Sequence, residues 1–374
     1  MKKLLLASTA LVATAGVAAA DITFSGSARF GAIYTDGADA VAATGNAGQI
    51  TAATTAVSQA KATATASAKV VTDNTKNGTV TAAQITQAAT DAAAQADAEA
   101  ALDAINGTAA TSSETVIHNR FTINIDGDAT IDSGAELFAR VRIRGGSSAD
   151  EGDTTSASGV SAPRVGMTSG GFTLAVGNIN GALESTPGLY GGAVGLTGLG
   201  WGNLPVNGSA VGADFFWDSF SSDGGGVNGV ELIYSAGDMG LHVSHSEVSQ
   251  QTSAHFSYAF GDWTAAVAVL DDDDDDQDVT LVTLGGSLAG ADVGLKYADV
   301  DDGADSSDAT TVWASFDVAS GTTVTGYFTS IDNGARDDSY GVGFTHSLGG
   351  ATLAGGVASI NDDTRADLGV RFSF

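Results

Sequence analysis

The chain has 374 residues, with 15 basic against 44 acidic side chains, a formal net charge of −29, fifty glycines, three prolines and no cysteine. The missing cysteine excludes a disulfide framework, a thiolate metal site and a thiol nucleophile. The acidic balance, with no basic stripe to neutralise phosphates, excludes nucleic acid as a partner.

The first twenty residues predict a secretion signal. Lys2 and Lys3 form a basic start, residues 4–17 are mostly apolar, and Ala18-Ala19-Ala20 offers an Ala-x-Ala cleavage site before Asp21. The alternative, a retained N-terminal anchor, meets an apolar run too short and too rich in Ala and Thr to span a bilayer as a helix. The mature chain is expected to start at Asp21 and to be exported. No later stretch approaches eighteen consecutive apolar residues, so no helical span is expected.

Residues 22–34 alternate, with Ile22, Phe24, Ala28, Phe30, Ala32 and Tyr34 on one face, as in a strand. Residues 36–117 then break the rhythm and are rich in Ala, Thr and Gln. Ile50, Ala53, Val57, Ala60, Ala64 and Val71 approximate an a/d spacing, and Asn77-Gly78 offers a turn. Thr81 and Gln84 read as a capping box before a second Ala-rich run that ends near Ile105. The expectation is an α-helical hairpin inserted in the first external loop. Partial disorder is the competing reading, because threonine at this density weakens helix propensity.

Strand alternation resumes at Arg120, with Phe121, Ile123 and Ile125 on one face, and a tight Asp132-Ser133-Gly134 turn leads to Leu137, Ala139, Val141 and Ile143. Further hairpins follow the same plan, with turns at Gly170-Gly171, Gly237-Asp238, Gly261-Asp262, Ala289-Gly290, Ser320-Gly321 and Gly349-Gly350. Longer connections contain 147–161, 271–278, 300–308, 332–338 and 361–365. The longest non-repetitive gap between strands, 178–226, holds Glu184, Asp214 and Asp218 with several aromatic residues. The chain closes on Leu368, Val370, Phe372 and Phe374 alternating with polar residues, which suits a final strand facing lipid on one side and water on the other.

The count reaches sixteen strands, an even number that brings the last beside the first. A water-soluble β-sandwich also favours alternation, but the apolar terminal strand, the signal and the succession of simple hairpins favour an all-β, sixteen-stranded antiparallel transmembrane barrel. Side chains cannot fill a barrel of that width, so an aqueous channel is expected.

A channel of this kind requires its charges to face the lumen, since a charge on the lipid face at mid-membrane costs about 2–4 kcal/mol. Arg29, Arg120, Arg140, Arg142, Arg144, Arg164 and Arg371 all fall out of phase with the apolar residues of their own strands. They belong to the first four strands and the last, which are neighbours in a closed barrel. A basic wall facing carboxylates would produce a transverse field that orders permeating dipoles. The alternative is that some of these arginines form ion pairs with lumen carboxylates such as Asp126, Glu136 or Asp367. The run Asp271, Asp272, Asp273, Asp274, Asp275 and Asp276, followed by Asp278, has two readings. One is a Ca²⁺ or Mg²⁺ site linking lipopolysaccharide phosphates to the barrel; the other is a solvated charge run.

The start of the mature chain, Asp-Ile-Thr-Phe-Ser-Gly-Ser-Ala-Arg-Phe-Gly-Ala-Ile-Tyr, resembles the first strand of the general porins of α-proteobacteria such as Rhodobacter. Residues 120–144 resemble their second hairpin, and 172–184 the strand that enters their constriction loop. Residues 367–374 match their closing strand, while the middle hairpins match in pattern only. The resemblance implies a trimeric, non-enzymatic, sixteen-stranded barrel whose third long loop folds inward and narrows it. By the same resemblance Glu184, then Asp214, are the candidate acidic residues of the constriction. The 178–226 region carries fewer carboxylates and more glycine than the family pattern, which leaves a weakly selective or anion-tolerant pore open.

The expected function is general diffusion of ions and small hydrophilic solutes across the outer membrane, with no cofactor beyond candidate Ca²⁺ or Mg²⁺ at the acidic external loops. The expected partners are outer-membrane lipid and lipopolysaccharide, the barrel-assembly machinery and two further copies of the chain. A substrate-specific channel is the nearest alternative, and a surface-structural or adhesive barrel a further one. No Gly-x-Ser-x-Gly or His-Glu-x-x-His motif suggests an enzyme.

Overall fold

The structure is a computed structural model that describes residues 21–37, 43–106, 112–147, 157–206, 228–273, 277–301, 306–332 and 337–374. In chain order the first strands are β1 (Asp21–Thr35), β2 (Glu114–Thr130), β3 (Glu136–Gly146), β4 (Ala157–Val160), β5 (Arg164–Ser169) and β6 (Phe172–Gly177). The middle ones are β7 (Gly229–Ala236), β8 (Met239–Ser246), β9 (Gln251–Phe260), β10 (Trp263–Asp272), β11 (Gln277–Leu288) and β12 (Ala291–Asp301). The last are β13 (Ser306–Ala319), β14 (Thr322–Asp332), β15 (Ser339–Ser347), β16 (Thr352–Ile360) and β17 (Asp363–Ser373). All seventeen segments form one antiparallel sheet that closes because β1 pairs with β2 on one edge and with β17 on the other.

Segments β4 and β5 both pair with β3 and make one stave, so the barrel has sixteen. The break falls at Pro163, which has no amide hydrogen to give the ladder. There the register slips by one residue, since Val160 faces Ile143 while Arg164 faces Arg140. Ser161 spans the interruption: its amide donates to the Arg142 carbonyl at 2.8 Å, and its hydroxyl accepts from the Arg142 amide at 3.0 Å.

The apolar phase of the strands points outward. Phe24, Phe30, Phe121, Leu174, Val267 and Val312 are all exposed on the isolated barrel. A sandwich would bury this face; a hydrocarbon belt demands it uncovered. The tight turns fall where turn chemistry predicts. At Gly170-Gly171 both residues take positive φ, +57° and +85°, as a two-residue hairpin loop requires.

Residues 36–113 form a separate compact unit of two helices, α1 (Ala47–Lys76) and α2 (Ala82–Asn106). Strand β2 begins at Glu114, so 114–117 belong to the barrel and not to the insertion whose end was expected at 117. The pattern is hard to see there because Val116 and His118 are buried while Ile117 is exposed, mixing apolar residues onto both faces. Threonine does not break the helices. Thr51, Thr54, Thr55, Thr63, Thr72 and Thr75 each donate their hydroxyl to the carbonyl four residues back, which satisfies both groups inside the helix. Thr81 and Gln84 form the expected capping box, with reciprocal bonds of 3.3 and 3.0 Å. A second one, Asn46 with Gln49, starts α1 and was not anticipated.

Candidate functional site

Register brings the arginines together. Arg29 on β1 lies directly opposite Arg371 on β17 and Arg120 on β2, so three guanidinium-bearing positions share one row across three strands. Like charges placed directly opposite are destabilising, and the sheet itself gains nothing from the row. The same three arginines line two cavities, of about 400 Å³ and 270 Å³, with Leu196 of the long loop also lining both. On β3, Arg142 stands opposite Asn124, and Arg140 stands opposite Asp126 on β2 and Arg164 on β5.

The seven arginines differ in what holds them. Arg140 donates to Asp126 at 2.5 Å, and Arg164 donates to Glu231 at 2.6 Å, with Glu231 fully buried. Those two are ion-paired, one of them with a carboxylate the sequence did not single out. Arg142 donates to the Asn124 side chain at 3.2 Å. Arg29 donates to His118 Nε2 at 2.9 Å and, at 3.4 Å, to the Leu196 carbonyl. Since arginine only donates, Nε2 of His118 must be the acceptor, which leaves its Nδ1 hydrogen for Ser147 Oγ at 3.2 Å.

After β6 the chain turns into the barrel. Leu183, Leu189, Leu204 and Val206 of the loop pack on Ala268, Leu270, Leu281, Ala298 and Val300, which are inward-facing positions of β10 to β12. Those strands are therefore apolar on both faces: lipid takes one and the loop takes the other. Strands β1 to β3, by contrast, present arginine inward. The loop thus lies along the wall of β10 to β12 and meets the basic wall at Leu196, whose carbonyl accepts from Arg29.

Polar contacts fix the loop along its length. The Ala182 amide donates to Ser244 Oγ at 2.9 Å, and the Ala182 carbonyl is 2.7 Å from His255 Nδ1. Thr283 donates to the Pro187 carbonyl and Thr329 to that of Gly202, at 2.5 and 2.8 Å. Lys296 donates to the carbonyls of Leu189, Gly191 and Asn203. Asp367 accepts from the amides of Leu196 and Thr197 and from the Thr197 hydroxyl, each at 2.8 Å. Asp367, one of the carboxylates named in the alternative ion-pair reading, binds these loop amides with the Arg29 charge also in reach. Gly191 and Gly192 lie against Trp313, where an added Cβ would approach indole ring atoms to within 2.6 and 2.7 Å.

Glu184 is the acidic group this loop offers to the basic wall. It is half-buried and accepts a hydrogen bond from the Tyr190 hydroxyl at 3.2 Å. Burial pushes its carboxyl above the ordinary carboxylate range, while the Tyr190 bond and the charges of Arg142 and Arg144 pull the other way. Glu184 therefore sits within electrostatic reach of two arginines of β3. Asp214 falls outside the described residues, as do Asp274, Asp275 and Asp276. Asp271 and Asp272 belong to β10 and not to the connection in which they were expected. Asp272 accepts from the Gln251 side chain at 2.7 Å, and Asp273 is exposed beyond the strand end. Among the described residues no three histidine or carboxylate side chains converge as a metal site.

Lys296, Glu231, His118 and Thr329 escaped the sequence reading. One signal for the first was available: Lys296 is an isolated basic residue in the inward phase of a strand whose neighbours carry apolar residues on both faces. The histidines serve the loop and the wall. His242 Nε2 lies 3.0 Å from Glu231, and the Ser244 and Ser253 hydroxyls bond each other at 2.7 Å.

Comparison with known proteins agrees with this geometry. Residues 78–365 match a family model described as Gram-negative porin. A porin of Fuscovulum blasticum is 27% identical over 279 residues, which cover 70% of this chain and 92% of that protein. Two solved mutants of Rhodopseudomonas blastica porin superpose with TM-scores of 0.63, covering 95% of this chain and 100% of theirs. Their identities are 20% and 19%, so their likeness is one of fold.

Proposed function

The chain belongs to the Gram-negative porin family, and from that premise we propose how its pore discriminates among the solutes it passes. The protein is an outer-membrane channel for passive diffusion of ions and small hydrophilic solutes. Its discrimination arises between the wall carrying Arg29, Arg120, Arg142, Arg144 and Arg371 and the infolded loop carrying Glu184. The carrying observation is the row of Arg29, Arg120 and Arg371, which lines two cavities together with loop residue Leu196; Glu184, held by Tyr190, feels the charges of Arg142 and Arg144. A fixed field across a narrow aqueous passage orients dipolar solutes and ranks ions by charge. The five arginines of this wall outnumber the described carboxylates that face them, Glu184 and the loop-bound Asp367, so the pore prefers anions although the whole chain carries −29. Arg140 and Arg164 contribute less, because Asp126 and Glu231 neutralise them.

The finer features follow from the same reading. The signal is removed before Asp21, the barrel-assembly machinery inserts the mature chain, and three copies associate in a lipid and lipopolysaccharide environment. The aspartates near the outer ends of β10 to β14 hold Ca²⁺ or Mg²⁺ as a diffuse counter-ion layer toward lipopolysaccharide phosphates. This role is supported by strand register, which sets Asp271, Asp278 and Asp301 in one row and Asp299, Asp308 and Asp332 in another. The test is planar-bilayer conductance of the purified protein with reversal potentials in a salt gradient. The expected result is ohmic channels with anion preference that strengthens in Glu184→Gln. Cation preference unchanged by Glu184→Gln would refute the assignment.

A further inference from the structure

Lys296 leaves the inner face of β12 and is almost completely buried, at 1% exposure. Its Nζ donates to the carbonyls of Leu189 at 2.8 Å, Gly191 at 2.7 Å and Asn203 at 2.6 Å. An ammonium has three donors and no acceptor, so these three carbonyls use it completely. All three belong to the infolded loop. They come from two limbs of it, 189–191 and 203, and the Asn203 side chain also donates to the Gly191 carbonyl at 3.1 Å. One charge from the wall therefore closes the loop on itself and fastens it to the barrel.

The wall has no need of this charge. Lys296 sits in register between Thr283 on β11 and Thr311 on β13. Both neighbours are neutral hydroxyls, and Ala298 and Val300, further along the same inner face of β12, belong to an apolar cluster. A buried charge without a counter-ion is tolerated only where its hydrogen bonds are complete. Here the loop alone supplies them. A glutamine would bring two donors and an unwelcome carbonyl, and a methionine would bring none.

We propose that Lys296 is a positioning residue for permeation: it sets how far the constriction loop reaches into the lumen, and through that the solute size limit and the charge preference. The inference rests on the porin reading and adds a determinant remote from the charged lining. Releasing the clamp frees the carbonyls of both limbs, which then seek water, and the loop moves toward solvent or toward the opposite wall. Either motion alters the aperture while the sheet keeps its ladder.

The test uses the full chain with Lys296→Met, which keeps the volume and removes the donors. It is read by single-channel conductance, reversal potential and liposome swelling with sugars of increasing size. Folding is checked by strand circular dichroism and heat-dependent gel mobility. The expected result is a folded barrel whose conductance departs from wild type by about twofold, with added open-channel noise and a changed sugar cut-off. A second variant separates positioning from general destabilisation. A Cβ built at Gly188 lies 3.4 Å from Thr283 Cβ, close to the span of about 3.5–4.5 Å that a disulfide bridges, and the chain has no cysteine of its own. Lys296→Met combined with Gly188→Cys and Thr283→Cys should recover wild-type conductance when oxidised and lose it on reduction. A folded Lys296→Met protein with wild-type conductance, noise, selectivity and sugar cut-off overturns the proposal. If Lys296→Met does not fold, the oxidised triple variant decides. Folding with wild-type conductance supports it. Gly188 holds φ +84°, where a cysteine is itself strained, so the Gly188→Cys and Thr283→Cys pair in the Lys296 background is the control. Failure of the triple variant where that pair folds overturns the proposal, because the ammonium would then serve the wall. A wild-type chain that does not conduct would remove the porin reading itself, a result distinct from either.

Discussion

Two segments interrupt the barrel strands, and they are opposites. The described part of the insertion 36–113 is regular: two capped helices meet at half-buried positions, including Ile50, Ala53, Val57 and Ala60, yet among their described residues only Ala64 is buried. Loop residues 178–206 have almost no regular structure beyond a 3₁₀ turn at Leu199–Trp201, yet Ala182, Leu183, Leu189, Leu199, Asn203 and Leu204 are among the most buried side chains of the protein. The helices satisfy their backbone internally, as any helix does, and need little from elsewhere. The loop cannot do so, and its polar groups are met by side chains from the strands around it. Regularity is thus no guide to which segment is fixed in place. Partner-supplied hydrogen bonds and burial are.

This contrast can be broken or sharpened at single residues. The largest effect is expected at Glu231, where a buried carboxylate meets Arg164, His242 and the Asn180 amide at the root of the loop. Glu231→Gln leaves the half-buried Arg164 guanidinium poorly compensated and should destabilise the folded barrel by about 3 kcal/mol, read by urea unfolding in lipid. Asp367→Asn should cost about 1.5–3 kcal/mol, because an amide cannot accept from Leu196, Thr197 and the Thr197 hydroxyl together. In the same variant the loop tip moves off β17, and a changed conductance would accompany the loss of stability. Asn46→Ala, which deletes a cap of the insertion, should lower helix content with a loss of about 1 kcal/mol, read by circular dichroism. It should leave conductance untouched. An Asn46→Ala variant with altered conductance would break the contrast.

A pH titration probes the loop from another side. The Glu184 carboxyl is held above its ordinary range chiefly by burial, so the folded protein binds that proton more tightly than the unfolded chain. Ionised Glu184 therefore lowers stability at neutral pH, and the penalty disappears as pH falls through the raised value. Selectivity should follow: anion preference rises at a pH above that at which exposed carboxylates titrate. Glu184→Gln should remove that step from a reversal-potential titration.

Much of the barrel was legible because each strand obeys one local rule, a period of two, and each tight hairpin carries its own turn residues. Phe24 and Arg29 can be assigned to opposite faces with no knowledge of any other strand. The charged wall was legible for the same reason. Closure then placed Arg371 opposite Arg29. The helices were partly legible from the a/d spacing around Val57 and the Thr81–Gln84 cap, but threonine density argued the other way until the hydroxyls found carbonyls one turn back. The loop contacts were not legible. Asp367 meets Thr197, and Lys296 meets Leu189, across separations of 170 and 107 residues, and neither pairing leaves a periodic trace. The apolar inner faces of Ala268, Leu281 and Ala298 did leave one, since strands apolar on both faces in a barrel with a watery lumen must have something covering their inner side.

The most direct test compares two deletions in planar bilayers. One removes 38–111 and joins the ends of β1 and β2; the other shortens the loop by removing 186–205. The account predicts wild-type conductance and selectivity for the first, and a wider, less selective channel for the second. An altered pore in the first with an unchanged pore in the second would contradict it.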